Sequence, residues 1–498
     1  TQVGGRPVKL DISREETFCN TRTRHSIEFD LAAGVDKEGK LVAKDMHSYS
    51  NQGAYASHGH AIAANGLTSW RLQYACPNIR GEAYTIYTNT PVGGAMRGYG
   101  IPQVCFAIEC FMDDVAEAIH MDPLEFRRKN LIEGYYEDRY LKPIAANTNG
   151  IFECLKKGAE YIHWDEKRKK YAKQTGAVRR GVGMALFSYK TGVWPISLEI
   201  AGARLSLNQD GSVQLQLGAT EIGQGADTVF SQMVAETLQT DMAHVHIQTV
   251  QDTDVSPFDT GAYASRQSFV TGTAVKHCAE ILRDKILAYA KTLLPEVDTR
   301  ELSLRDNWIW AGEEQAISLA ALAEESYYSL TNSSVLTAEV SEQVKKNTIA
   351  TGCCFAEVEV DIKLGKIKIL HIINVHDSGK LLNPQLAEMQ VHGGMSMGMG
   401  YGISEQLILD EKTGRPLNGN LLDYKLMTML DTPDIKPDFV EMDDPTGPYG
   451  NKALGEPPAI PSAPAIRNAV LHATGVAFNE NPLTPQRLID GFKKAGLI

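Results

Sequence analysis

The sequence predicts an α+β fold made of recurring β-hairpins with packed helices. Three observations predict it: one hairpin pattern occurs three times, glycine marks each turn, and helical periodicity follows two of the three. Residues 27–53 read as a strand, a turn at Glu38-Gly39, a second strand and a glycine-bearing loop. Residues 204–225 repeat the plan around Asp210-Gly211, and residues 358–379 repeat it around Leu364-Gly365. The three share little sequence, so they are recurring hairpins and not a solenoid. After the second, residues 227–238 set Val229, Met233 and Val234 at helical spacing. After the third, residues 385–402 read as a helix despite Gly393, Gly394, Gly398, Gly400 and Gly402. Each helical glycine costs roughly 1 kcal/mol against alanine, so another element or a ligand must approach that backbone closely. Longer helices are expected at 103–119 and 270–294, and Asp122-Pro123 reads as a helix start, with Asp as cap and Pro in the first turn.

The 498 residues have room for about three domains at roughly 150 residues each. A net charge of −12, from 49 basic and 61 acidic residues, argues against a nucleic-acid partner held through its phosphates. No apolar run is long enough to span a bilayer, and the first residues lack the basic and apolar regions of a leader, so a cytoplasmic protein is expected. The absence of an initiator Met reads as processing, or as a start partway through a longer protein. Eight cysteines without a Cys-x-x-Cys pair give no zinc-ribbon or iron–sulfur ligand set. They read as buried, reduced thiols, with adjacent Cys353 and Cys354 on opposite faces of a strand. Residues 165–180, which include Lys167-Arg168-Lys169-Lys170, read as a solvated linker helix rather than a nucleic-acid site. They divide the chain into residues 1–160, a linker at 161–180, and residues 181–498.

Four glycine-rich segments carry polar side chains: residues 93–103 with Arg97, Gly98 and Tyr99, residues 218–225 with Gly223 and Gln224, residues 261–268 with Ala264, Ser265 and Gln267, and residues 389–394 with Gln390. Accessible backbone N–H groups in such loops suit anions. None is a Walker A loop or a clear dinucleotide fingerprint, and the acidic residue a nicotinamide-binding unit needs is missing. Several such loops in one chain suggest a large polar ligand wrapped by many segments. A fifth segment, Gly455-Glu456-Pro457-Pro458, sets a carboxylate in a rigid turn, and Pro457 is expected to push Glu456 out of the α region. Glu456 is either a helix cap or a general base held in one geometry. His58 and His60 are spaced as a ligand pair, but nothing completes a metal shell around them.

Arg97-Gly98-Tyr99-Gly100-Ile101-Pro102-Gln103 and Gly455-Glu456-Pro457-Pro458 resemble the signatures of the molybdenum hydroxylases, the xanthine dehydrogenase and aldehyde oxidase family. Between them, Gly223-Gln224-Gly225, Ala264-Ser265 and the Gln390 to Gly393 segment follow in the expected order. The resemblance runs from about Gly5 to the C-terminus. It implies that residues 1–160 are the C-terminal part of a first molybdenum-binding domain and residues 181–498 a second. It also implies a molybdenum ion held by a pterin dithiolene, with the nucleotide form of the pterin, such as a cytosine dinucleotide, left open. No side chain then ligates the metal. An upstream part of the first domain, a [2Fe-2S] protein and an FAD protein are expected on other chains or domains, in an oligomer.

The resemblance further implies that Glu456 is the base in hydroxylation of an electron-poor sp² carbon, with the oxygen drawn from water. Gln224 matches a glutamine near the metal's oxo ligand. The segments holding Arg97, Gly98, Gly223, Ala264, Ser265, Gln267 and Gln390 line the cofactor. Arg24 aligns with an arginine that polarises purines in xanthine-oxidising members, although a surface arginine on a strand is the plain alternative. Tyr99 stands where the family often has Phe, beside the substrate ring, and Trp194 is a candidate for the opposite wall. A purine such as xanthine or hypoxanthine is the leading substrate. An aldehyde, another N-heterocycle, or a non-catalytic cofactor-binding subunit are the alternatives.

Overall fold

The structure, a computed structural model, describes residues 2–132, 149–248 and 250–498. The three hairpins form as their glycines dictate. Ile27–Val35 pairs antiparallel with Leu41–Gly53, Ile200–Leu207 with Val213–Leu217, and Ile349–Asp361 with Lys366–Asp377. Gly39, Gly211 and Gly365 take φ of 84°, 80° and 58°, a left-handed backbone that glycine adopts freely.

Each hairpin nucleates a separate sheet. Leu41–Gly53 continues through the helix Gly59–Leu72 to a parallel third strand, Ile79–Tyr87. The second hairpin gains Thr337–Gln343 and Val245–Ile247, and its apolar face is covered by the helices Ala226–Leu238 and Gly272–Leu293. The third hairpin lies in a central sheet between Ile435–Phe439 and Val178–Lys190. Both faces of this sheet are buried. Cys353 faces a core shared with Trp70, Phe126 and Leu155, whereas Cys354 faces one shared with Met395, Ile466 and Val470. The adjacent cysteines therefore do point to opposite sides. A small sheet of Leu302–Arg305, Trp308–Ala311 and Glu314–Ser318 completes the strands described here. This mixture of hairpins and packed helices is the expected α+β class.

The helices expected at 103–119, 227–238, 270–294 and 385–402 appear as Ile101–Ala118, Ala226–Leu238, Gly272–Leu293 and Pro384–Ile403. Asp122 caps Pro123–Asn130 by accepting from the N–H groups of Leu124 and Glu125. The glycines of Pro384–Ile403 make room for another element. A Cβ on Gly394 would lie 2.4 Å from Cβ of Pro458, and one on Gly402 would lie 3.1 Å from Cα of Ala463. The segment that follows Glu456 is thus pressed directly onto this helix.

Residues 161–180 are mostly exposed, as their charge suggests, but they also pack against the rest of the chain. The helix Trp164–Tyr171 buries its two terminal aromatics, and Lys167 donates to Glu357 of the central sheet at 2.7 Å. Val178 already opens a strand of that sheet. The helix Ile151–Ile162, placed by sequence in the first domain, also packs on the central sheet through Cys154 and Leu155. Two buried aromatics decide the packing here, because lysine and arginine heads can reach solvent along their apolar stems.

Backbone contact also fixes the helix Ser462–Thr474. A Cβ on Gly183 would lie 2.1 Å from the amide nitrogen of Ala469. The substitution Gly183→Ala is expected to cost on the order of 3 kcal/mol by overpacking, read as a lower urea midpoint at unchanged m-value.

Candidate active site

The Glu456 turn stands on a buried ionic base. Lys452 lies 2.8 Å from Asp377 and 3.9 Å from Asp444, with all three side chains fully buried. Asp377 also accepts from the N–H groups of Gly150 (2.8 Å) and Gly379 (3.1 Å). The hydroxyl of Thr348 donates to Asp444 at 3.1 Å. The Lys452 N–H donates to Ser378 O at 2.8 Å, and the Ala453 N–H donates to the Thr191 hydroxyl at 3.0 Å. The segment thus enters the turn along a fixed track.

Glu456 itself has φ −104° and ψ −36°, inside the α region, contrary to the expectation drawn from Pro457. The steric preference before proline is overridden by two backbone bonds: the Glu456 N–H donates to Ser265 Oγ at 3.0 Å, and its carbonyl accepts from Ala459 at 3.2 Å. The side chain does not cap the helical turn it precedes. Oε1 accepts from the Gly98 N–H at 3.1 Å. Oε2 accepts from the Ser265 hydroxyl at 3.1 Å and from the phenol of Tyr189. Tyr189 lies on the strand Val178–Lys190, and burial, followed by the charge of Glu456, raises its phenol well above the usual value.

Arg97 closes the same junction. Its Nε donates to Gly455 O at 2.7 Å, and a terminal nitrogen reaches the carbonyl (3.0 Å) and the side-chain oxygen (3.2 Å) of Gln390. Three of the predicted segments therefore meet: residues 97–98, Gln390 and the Glu456 turn. The fourth, Ala264-Ser265, joins through Ser265. Ala264 and Ser265 both have φ near 49° and Tyr99 has φ 48°. Such residues cost about 1–3 kcal/mol each and persist where the surroundings over-determine them. Behind the Ala264-Ser265 pair, fully buried Arg266 donates to Glu199, Asp259 (2.7 Å) and Ile200 O (2.9 Å).

The second glycine loop docks on the third. Gln224 Nε2 donates to Gln267 Oε1 at 2.7 Å and to Thr220 O at 2.9 Å, while its oxygen accepts from the Ile222 N–H at 2.7 Å. Both polar atoms of the Gln224 amide are therefore bonded to protein groups. Next to it Gly223 is exposed, and a Cβ there would meet nothing within 4 Å.

Arg24 lies in the loop before the first strand, not on a strand. Its terminal nitrogens donate to Arg97 O at 2.8 Å and Gln103 Oε1 at 3.4 Å, and its guanidinium sits 5.5 Å from the centre of the Tyr401 ring. Both contacts are with the protein itself, so the geometry gives Arg24 a part in holding Arg97. Tyr99 donates or accepts through its hydroxyl with His58 at 2.7 Å, and its carbonyl accepts from Asn65 at 3.0 Å. His58 thus braces the Tyr99 ring, and among the described residues no group of three or more His, Cys, Asp or Glu could hold a metal. Trp194 precedes a cis peptide to Pro195 and accepts from Asn347 through its carbonyl at 2.7 Å. Its neighbour Gly192 donates to Ala264 O at 2.9 Å, which places Trp194 beside the third loop. Among the described residues no ring contact joins it to Tyr99.

Sequence reasoning missed Tyr189, the Lys452 base and the Arg266 anchor. Lys452 and Arg266 could have been found, since each is a cation within an otherwise apolar or small-residue motif. Tyr189 gives no local signal, because its partner lies 267 residues away.

The family described as a molybdopterin cofactor-binding domain matches residues 1–131 and, through a second such domain, residues 157–433. The chain belongs to the molybdenum hydroxylase family. It is 48% identical over 501 residues to the putative xanthine dehydrogenase molybdenum-binding subunit XdhA of Escherichia coli K12, covering 100% of this chain and 66% of that protein. It is 28% identical to the aldehyde oxidoreductase molybdenum-binding subunit PaoC of the same strain, covering 97% and 63%. In fold it matches quinoline 2-oxidoreductase from Pseudomonas putida 86 with a TM-score of 0.90 at 23% identity, over 99% of this chain and 65% of that one. The chain therefore spans about two thirds of the length of these proteins. Among the described residues no helix is long and apolar enough to cross a membrane.

The residues fit the family's pterin. Left-handed Ala264 and Ser265 and the open face of Gly223 offer close backbone approach to a large polar ligand. The buried base beneath the turn gives a direct test. Lys452→Met strands the Asp377 carboxylate in the core, and a loss of about 3–5 kcal/mol of unfolding free energy is expected in denaturant titration.

Proposed function

We propose that this chain is the catalytic portion of a molybdenum hydroxylase acting on an sp² carbon of a purine such as xanthine or hypoxanthine, with Glu456 as general base. The observation that supports it is the convergence on one carboxylate of donors from three glycine-loop and strand segments, at the junction where Arg97 ties two further segments together. A side chain that was only a turn residue would not need Oε1 and Oε2 held separately. When bound, the molybdenum–pterin group supplies a water-derived oxygen and takes up the electron pair of the reaction.

The chain's own residues then do three things. Glu456 takes a proton at a fixed position. Gly98, Ala264, Ser265, Gly223, Gln224, Gln267 and Gln390 hold the cofactor, with Arg97 fixing the backbone between them. Tyr99, braced by His58, and Trp194 flank a flat substrate, and Arg24 acts on its electrostatics through the Arg97 junction. Residues 1–160 and 181–498 are read as parts of two molybdenum-binding units, completed by an upstream portion of the first. Electrons leave to [2Fe-2S] and FAD partners on other chains or domains, in a cytoplasmic oligomer, with a cytosine dinucleotide as a candidate pterin form.

Glu456→Gln keeps the size of the side chain and removes the base. In the assembled enzyme it is expected to lower turnover by at least about 100-fold while molybdenum content stays at the wild-type level. Normal turnover would overturn the assignment of Glu456 as base and give weight to a non-catalytic cofactor-binding subunit.

The second reading is oxidation of an aldehyde or another N-heterocycle, in which the Arg24 guanidinium serves only the protein groups it already meets, Arg97 O and Gln103. Arg24→Met separates them. If Arg24 serves a purine, kcat/KM for xanthine drops by about tenfold or more beyond the drop for a neutral heteroaromatic. Equal losses assign Arg24 to positioning and remove the main support for the purine.

A further inference from the structure

A carboxylate has about four lone-pair sites, two on each oxygen. At Glu456, the Gly98 N–H uses one site on Oε1 at 3.1 Å, and the hydroxyls of Ser265 (3.1 Å) and Tyr189 use both on Oε2. One site on Oε1 is left. Tyr189 is 3% exposed, its hydroxyl donates to Glu456, and the Ser265 hydroxyl is its second polar neighbour. A buried phenol is costly to leave without an acceptor, so the bond that satisfies it also holds the carboxylate.

We infer that Tyr189 is a positioning residue which, with Ser265, saturates Oε2 of Glu456 and leaves Oε1 as the atom that takes the proton. This rests on the reading of Glu456 as base. The O–H of Tyr189 stays on Tyr189 throughout, and no bond to it forms or breaks. The guanidinium groups of Arg97 and Arg24 and the phenol of Tyr99 also lie within electrostatic reach of the Glu456 carboxylate.

Tyr189→Phe in the assembled enzyme removes one oxygen from a buried ring. The ionised carboxylate loses a charge-assisted donor, so the acid limb of kcat/KM against pH is expected to move to higher pH. Below that limb kcat/KM then falls, and above it the change is small. A crystal structure of the variant is expected to show the Glu456 carboxylate rotated, with Oε2 released. Molybdenum content is expected to stay unchanged.

An acid limb within 0.2 units of wild type, with Glu456 unmoved, would overturn the assignment of Tyr189 while leaving Glu456→Gln to decide the base separately. Loss of the limb's link to Glu456, shown by full activity of Glu456→Gln, would instead overturn the underlying reading. If Tyr189→Phe fails to accumulate, 2,3-difluorotyrosine placed at position 189 supplies a stronger donor of nearly the same shape. The limb then moves down, and an upward shift or none would overturn the inference.

Discussion

The centre of this molecule depends on one carboxylate held by donors from distant parts of the chain. Glu456 bonds to groups 358, 267 and 191 residues away in sequence. Together these contacts require the central sheet, the Ala264-Ser265 loop and the Arg97 loop to be in place. The left-handed strain at Tyr99, Ala264 and Ser265 is tolerated for the same reason, because each residue is over-determined by the bonds around it. Rigidity here is a collective property, and it suits a base that must act at one position.

The ionic groups beneath the site belong to the same constraint. Lys452 with Asp377 and Asp444, and Arg266 with Glu199 and Asp259, are buried clusters in which each charge is met by an opposite charge or by backbone and hydroxyl donors. A third, Arg127 with Glu109 and Asp113, ties the helix Ile101–Ala118 to the strand Val178–Lys190, since Glu109 also accepts from the Leu186 N–H at 2.8 Å. Buried pairs of this kind are poor sources of net stability and good devices for choosing one arrangement over its neighbours.

Much of this was legible in the sequence. The hairpins were readable because their signals are local: alternation on either side of a glycine that must adopt positive φ. The glycine-bearing helix was readable as a close approach, though not which element approached. The four loops and the glutamate turn were legible as motifs. What local signals could not supply was pairing. The charge of residues 167–170 suggested solvent, yet Trp164 and Tyr171 place that helix on a sheet. Pro457 suggested an extended Glu456, yet the hydroxyl of Ser265 holds it in the α region. In each case a long-range partner outweighed a local preference.

The helix Pro384–Ile403 carries a consequence of its own. Where Gly394 meets Pro458 there is no room for one extra carbon, so that part of the glutamate turn rests on backbone and not on a side chain able to repack. Close-packed interiors have low compressibility and transmit displacement instead of absorbing it. The site therefore behaves as a hard mount. Hydrostatic pressure, which deforms hydrated or hinged pockets by removing their void volume, finds little free volume between this helix and the turn that carries the base.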